Sequence, residues 1–469
     1  MTRVHAFGDD ALRDDDTVGL VARLKARKVS PGELVEAAIA RLEKTDTELG
    51  GLAYAGFEQA RREAVTRREG YFAGIPTLVK DNCDVAGMPT QHGTDAFTAR
   101  PAEADGDFAR TYRATGMLVL GKSQLSEFGF SAAAEHPRLG PVRNPWDTGY
   151  SAGASSSGAA AFVAAGAVPI AHANDGGGSI RIPAHACGLV GLKPTRGRLP
   201  QDALHRQMPV RIVADGVVTR SVRDTAAFLR ESENHYRRLD LPPIGDITRP
   251  SPKRLRVAFL TSVAGRSATP EVREQVLATA ALLEDLGHHV TEVPEGQAPV
   301  ASTFPDDFLL YWGFLALVIV RSGRWTLDRS WDASRCDDLT LGLARHAARR
   351  LHRLPAAVAR LRASGRRTRA FFAGQDVVLT PTVAAPTPRI GYLDPTQGYE
   401  TVIERVLSWV AFTPLQNATG DPSVSLPLAT SAEGLPQGMC FSAAPGAEAT
   451  LLGLAYELEQ ARPWARIQD

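Results

Sequence analysis

Cysteine is scarce in this chain: Cys83, Cys187, Cys336 and Cys440 are the four in 469 residues, and no two stand at Cys-x-x-Cys spacing. That reads as free thiols in a reducing compartment and against a disulfide frame. Net charge is nearly absent too, with 53 Lys and Arg against 52 Asp and Glu. Nothing global draws the chain to nucleic acid or to acidic lipid. The eleven histidines include the pair His288-His289. None makes an HExxH or other metal-ligand spacing. Neither a metal nor an organic cofactor is expected. No apolar run approaches the roughly 20 residues that cross a bilayer. The early acids Asp9 and Asp10, with no apolar stretch beside them, read against a signal peptide. A cytoplasmic protein with no membrane partner is the expectation. What is present is ordinary globular composition, 44% hydrophobic and 22% charged, in a chain long enough for a large core.

The pattern along the chain alternates helix and strand. Residues 17–45 read as two amphipathic helices. The second opens on Ser30-Pro31-Gly32-Glu33, a capping box with proline in the first turn. Strands are expected at Ile75–Val79, ending on Lys80, and at Met117–Leu120, Leu255–Leu260, His289–Val293, Val377–Leu379 and Val424–Leu426. Helices are expected at 270–287, 306–322, 342–370 and 447–461. Residues 236–254 are rich in proline, arginine and aspartate and read as a linker. Alternation of this kind favours an α/β fold. No internal repeat is visible.

Segment 150–200 is dense in glycine, alanine and serine, which suggests tight backbone packing around a site. Three short motifs carry chemistry. They are Pro76-Thr77-Leu78-Val79-Lys80-Asp81-Asn82, then Gly153-Ala154-Ser155-Ser156-Ser157-Gly158, then Asp175-Gly176-Gly177-Gly178-Ser179-Ile180-Arg181. A serine is a weak nucleophile until a base takes its proton, and a lysine kept neutral by burial can serve. Lys80 ends an apolar segment and suits that role. Glycines ahead of Ser179 let backbone N–H groups turn inward, as an oxyanion hole requires. Residues Ile180-Arg181-Ile182-Pro183 open a short helix whose N-terminus adds partial positive charge.

Together these motifs resemble the Ser–Ser–Lys centre of the amidase signature family. The family carries a GGSSGG-like stretch, a DxGGS motif further on, and a lysine well upstream. Here Ser155 and Ser179 stand 24 residues apart. Flanking pieces match as well: Lys122–Phe128, Arg143-Asn144-Pro145-Trp146, Gly191–Arg198, Leu379–Thr382 and Asn417–Pro422. The resemblance covers nearly the whole chain. It implies one α/β domain over residues 1–469, with a central mixed, twisted sheet covered by helices on both faces. Residues 245–370 would be a variable insertion that shapes the pocket.

The resemblance further implies amide hydrolysis to acid and amine. Ser179 would be the nucleophile, Ser155 a bridging serine held by a cis peptide bond, and Lys80 the base. Backbone N–H groups of Gly176, Gly177, Gly178 and Ser179 would form the oxyanion hole. Ser156, Asp175 and Arg181 would support the loop, and Phe130 and Ser131 would touch substrate. Three positions depart from the usual pattern: Ala154 and Ser157 where glycine is usual, and Gly176 where threonine is common. The run Asn174–Ser179 is closer to the subgroup that includes aminohexanoate cyclic dimer hydrolase. No departure removes a catalytic atom, so they bear on substrate range.

Each motif alone has a plainer reading. A lysine at a strand end snorkels to the surface, and a Gly-Gly-Gly-Ser run is a flexible turn or a phosphate loop. Gly121-Lys122-Ser123 is only the tail of a P-loop, without its upstream glycine. His92, His172 and His185 read as structural, and Cys83 as a small buried filler. The arginines between 345 and 369 read as a solvated helix face or a subunit contact. The aromatic group Phe304, Phe308, Tyr311, Trp312 and Phe314 reads as core, with a pocket wall as the second reading. Two rival functions stay open: the glutaminase subunit of a tRNA-dependent amidotransferase, and a non-catalytic scaffold of the same fold. A small-molecule amide is the expected partner, and a homodimer the expected assembly.

Overall fold

The computed structural model describes residues 2–66 and 68–469. Its centre is an eleven-stranded sheet. In chain order the strands are β1 (Leu52–Ala55), β2 (Pro76–Lys80), β3 (Leu118–Ser123), β4 (Ile170–Asp175), β5 (Val190–Lys193), β6 (Ala214–Thr219), β7 (Arg256–Phe259), β8 (His289–Glu292), β9 (Val377–Pro381), β10 (Ser423–Thr430) and β11 (Pro436–Ser442). Across the sheet they run β1-β3-β2-β4-β6-β5-β10-β11-β9-β7-β8. The pairs β3–β2, β2–β4, β9–β7 and β7–β8 are parallel and the remainder antiparallel, so the sheet is mixed.

The parallel strands β2 and β4 are buried along their length, as strands covered on both faces must be, whereas the parallel edge strand β8 is largely exposed. Helix α1 spans Thr17–Lys25 and α2 spans Pro31–Leu49. The capping box of α2 forms: Glu33 N–H donates to Ser30 Oγ (3.2 Å), and Ser30 N–H to Glu33 Oε2 (2.8 Å). The strongly buried helix α3 (Ser157–Ala164) explains the small residues of its segment. A Cβ on Gly158 would sit 2.1 Å from the Gly51 carbonyl oxygen, so only glycine allows this approach. Helix α4 (Arg181–Cys187) follows β4 after a five-residue turn that contains Ser179.

The long apolar helix α5 is Phe304–Thr326. The expected single helix over 342–370 is two: α6 (Asp338–Ala348) and α7 (Leu354–Phe372), joined through a short 3-10 turn at Leu351–Arg353. Pro355 in the first turn of α7 has no N–H to continue a helix from the residues before it. The arginines of this region face outward, with Arg360 paired to Asp307 and Arg362 donating to the Pro209 carbonyl (2.6 Å). Helices α8 (Tyr399–Trp409) and α9 (Glu448–Ala461) complete the labelled set. Residues 236–254 contain no helix or strand, as their composition suggests. Among the described residues no helix is long and apolar enough to cross a membrane.

Candidate active site

Register brings the three motifs together. Strands β2 and β4 are parallel, with Thr77 beside Ile170 and Leu78 beside Ala171. Their C-terminal ends, Lys80 and Asn174-Asp175, therefore open at the same edge of the sheet. The Ser155 loop lies against that edge, ahead of α3.

Lys80 is wholly buried. Its Nζ stands 2.7 Å from Ser155 Oγ, 2.7 Å from Asn174 Oδ1 and 3.3 Å from the Asn174 carbonyl oxygen. A neutral amine has two N–H groups and one lone pair. The two Asn174 oxygens take the N–H groups, which leaves the lone pair for the Ser155 hydroxyl proton. Burial lowers the Lys80 pKa to about 7, against the opposing charges of Asp175 and Asp215. Asn174 is itself held by Asn82, with its Nδ2 donating to Asn82 Oδ1 (3.0 Å).

Below the lysine, His172 Nδ1 accepts the Lys80 backbone N–H (3.2 Å), and His172 Nε2 stands 3.2 Å from Asp215 Oδ1. Burial raises the Asp215 carboxyl to about 6. Its charge helps to hold the Lys80 pKa up, so Asp215→Asn is expected to lower it further. The acid limb of kcat/KM against pH should then move to lower pH. A limb that stays in place, or moves up, would refute this electrostatic link.

The Ala154–Ser155 peptide bond is cis. Ser156 Oγ donates to the Asn174 carbonyl (3.2 Å). Ser179 lies in the turn between β4 and α4, and one buried carboxylate organises that turn. Asp175 Oδ1 accepts the Gly178 N–H (2.7 Å), and Oδ2 accepts the Ile180 N–H (3.1 Å). Arg181 donates to both oxygens at 2.9 and 3.0 Å, and Asn417 Nδ2 donates to Oδ1 at 2.8 Å. Burial alone would raise the Asp175 pKa. The Arg181 charge and these hydrogen bonds hold it well below the usual carboxylate range. Arg181 reaches on to the Thr413 carbonyl (3.0 Å) and Asn417 Oδ1 (2.7 Å), tying the turn to the C-terminal quarter of the chain.

This geometry corrects the expected oxyanion set. The Gly178 N–H is engaged by Asp175 and is not free for a substrate oxygen. Among the described residues the N–H groups of Gly176, Gly177 and Ser179 have no acceptor. Gly178 is needed for another reason. Its φ is +137°, and a Cβ there would lie 2.3 Å from Thr413 Oγ1 and 2.6 Å from Ile182 Cδ1. Gly178→Ala is expected to cost about 1–3 kcal/mol of stability and to displace Ser179. A lower Tm together with lost activity would bear this out. An unchanged Tm would show that the turn tolerates a side chain.

Ser179 borders two cavities. The wider, about 370 Å³, also exposes Ser155, Asn82 and Asn174 and is walled by Phe128, Trp312 and Leu315. The narrower, about 70 Å³, is lined by apolar groups that include Phe130, Phe308, Trp312 and Val406. Both Phe130 and Ser131 lie on it. Phe130 meets Trp312 edge-on at 5.8 Å between ring centres. Helix α5 therefore does both jobs its aromatics suggested: Phe308 and Trp312 wall the site, while the Tyr311 hydroxyl is buried against Val210. Ser155 and Ser179 face the wider cavity without a hydrogen bond between their hydroxyls among the described residues.

Asn82, Asn174, His172, Asp215, Thr413 and Asn417 were not singled out as site residues from sequence. Asn82 and Asn174 lie inside the motifs, whereas Thr413 and Asn417 enter through contacts across more than 230 positions. Cys83, Cys187, Cys336 and Cys440 are buried free thiols. His185 Nδ1 accepts the Gly438 N–H (2.8 Å), a structural role. Among the described residues no cluster of three or more His, Cys, Asp or Glu is arranged to hold a metal.

The Amidase family profile matches residues 33–452. A Mycobacterium leprae protein that carries the amidase name AmiC is 61% identical over 468 residues, covering 100% of this chain and 99% of that protein. The 6-aminohexanoate-cyclic-dimer hydrolase of Paenarthrobacter ureafaciens is 34% identical, covering 96% of this chain and 95% of the enzyme. Among solved structures, a 6-aminohexanoate cyclic dimer hydrolase complexed with substrate superposes with a TM-score of 0.87 at 31% identity, over 98% of this chain and 99% of that one. A bacterial aryl acylamidase of the amidase signature family gives 0.86 at 26% identity, over 97% of each chain. The fold, the motifs and these relatives agree: the chain belongs to the amidase signature family, whose members hydrolyse amide bonds, and stands near its aminohexanoate cyclic dimer hydrolase subgroup.

Proposed function

We propose that the protein hydrolyses a carboxylic amide to acid and amine through an acyl-enzyme on Ser179. The observation that carries this reading is the buried Lys80 amine 2.7 Å from Ser155 Oγ, with Ser155 and Ser179 on one cavity. In the proposed relay Ser179 gives its proton to Ser155 Oγ while Ser155 gives its own to Lys80 Nζ. The Ser179 oxygen bonds to the carbonyl carbon, and the carbonyl oxygen becomes an anion. The free N–H groups of Gly176, Gly177 and Ser179 suit that anion. The protons then return through Ser155 to the amine nitrogen as the C–N bond breaks. Water enters by the same relay and releases the acid. Hydroxyl contacts of this kind tighten when substrate fills a site.

The departing nitrogen must lie beside Ser155, which supplies its proton. The wider cavity, which contains Ser155, therefore holds the amine part. The narrow apolar cavity holds the acyl group. This argues against a glutaminase, because among the described residues no charged side chain lines the narrow cavity to meet the α-amino and α-carboxylate groups of glutamine. The reading is tested by amine release from a panel of amides and anilides, with hydroxylamine added as a competing acceptor. A hydroxamate product whose yield rises with hydroxylamine marks an acyl-enzyme. Hydrolysis with no hydroxamate would overturn the covalent step.

A further inference from the structure

Ser155 has a second close neighbour besides Lys80. A Cβ on Gly129 would lie 3.1 Å from Ser155 Oγ and 3.7 Å from Ser155 Cβ, so the Gly129 backbone stands against the relay hydroxyl. Gly129 belongs to a tight turn over Ser126–Ser131. Its N–H donates to the Ser126 carbonyl (2.8 Å), the Phe130 N–H to the Glu127 carbonyl (2.9 Å), and Ser126 Oγ to the Ser131 carbonyl (3.0 Å). Gly129 and Phe130 border both cavities that meet at Ser179.

The backbone does not adopt this turn unaided. Phe128 has φ +49° and Gly129 φ +76°. Glycine enters the left-handed region freely, whereas a bulky residue stays there only where its surroundings hold it. The Phe128 N–H donates to the His92 carbonyl (2.9 Å). Two further ties end on one side chain. Glu127, 2% exposed, accepts from Thr94 Oγ1 at Oε1 (2.6 Å) and from the Asp337 N–H at Oε2 (2.8 Å). Its carboxylate thus joins the turn to the loop that carries His92 and Thr94, and to the residue just ahead of α6. Among the described residues no Lys or Arg pairs with it, and His136 Nε2 stands 3.6 Å from Oε1. Burying a carboxylate without a cation is costly. What it supplies is two acceptor oxygens that meet donors from separate segments at once.

We propose that Glu127 is a positioning residue of the relay: by fixing the turn it sets Gly129 against Ser155 and keeps that hydroxyl within reach of Lys80. The inference rests on the relay of the proposed function. Glu127 touches no reacting atom and acts only through where Gly129 stands.

The test is a double-mutant cycle, with rates taken per folded enzyme. Glu127→Ala should lower kcat by about 10²-fold, the cost of a misplacement of about 1 Å. In a Ser155→Ala background the same change should cost less than about fivefold, because no hydroxyl is left to place. Glu127→Gln keeps an acceptor for the Asp337 N–H and an amide for Thr94 Oγ1, so it should return kcat to within about fivefold of wild type. Gly129→Ala supplies the same test if Glu127→Ala does not fold. Its methyl crowds the Ser155 hydroxyl, but with alanine at 155 it meets only a Cβ at 3.7 Å, an ordinary contact. Its loss should therefore also vanish in the Ser155→Ala background.

Equal losses in both backgrounds would make Glu127 a structural part alone and overturn the proposal. Full activity in Ser155→Ala by itself would refute the relay, and the positioning role with it. If no amide is cleaved, the rate at which a fluorophosphonate labels Ser179 replaces kcat in the same cycle. A wild type that neither cleaves nor labels would count against both the hydrolytic reading and this inference.

Discussion

Ser179→Ala is expected to lower kcat by about 10⁴-fold or more on any amide the protein cleaves, with little change in Tm. Alanine removes the only atom that can form the proposed acyl bond. The remaining N–H groups of Gly176, Gly177 and Ser179 are backbone and survive the substitution. Some residual rate from the oxyanion site is therefore expected. Stability should hold because the Ser179 hydroxyl borders a cavity and, among the described residues, has no partner to leave unpaired. The measurement is amine release by wild type and variant at equal folded concentration, with Tm checked for both. Activity within about a hundredfold of wild type would mean that another group attacks the substrate, since a lost nucleophile costs far more.

Lys80→Met should lower kcat/KM by about 10²–10⁴-fold, the usual worth of a positioned general base. Methionine nearly matches the length of lysine without its charge or donors. The folded state of wild type bears the desolvation cost of a buried amine, which lowers the Lys80 pKa from 10.5 to about 7. The sign for activity follows. Below about pH 7 the amine is protonated and has no lone pair for Ser155, so kcat/KM should fall about tenfold per pH unit in acid. Above that value it should level off. The variant has no amine to titrate, so its residual rate should lose this limb. A wild-type profile flat from pH 5 to 9 would remove Lys80 as the base, because a general base must titrate near its pKa. Asp215→Asn is the finer control, since it moves the limb without touching the relay.

Much of the site was legible because its motifs are local. Lys80, Ser155 and Ser179 each sit in a run of small or apolar residues whose chemistry can be named without a fold. The capping box of α2 and the strand ending at Lys80 were readable for the same reason. Strands β4 and β5 were harder. Their segment is so rich in alanine and glycine that the apolar signal of a buried strand is diluted. Strand β11 has its only strongly apolar residues at Met439 and Phe441, too few for a pattern. The break between α6 and α7 hid in a run of arginines with good helix propensity on both sides.

The residue types required for amide chemistry, and the order in which they occur, are properties of the chain. Their electrostatic state is not. Lys80 can serve as the proposed base only because β2 is covered on both faces, and no count of neighbours in sequence measures desolvation. The fate of the three glycine N–H groups is likewise tertiary. Gly178 turns its N–H to Asp175, and Asp175 is held in place by Arg181 and by Asn417 from the far end of the chain. The proposed acyl side is assembled from β4–α4, α5 and α8, among other segments, which only folding brings together. Motifs specify which atoms react, because reactivity is a property of groups. Packing decides which proton moves and which substrate fits, because dielectric and shape arise only where distant segments meet.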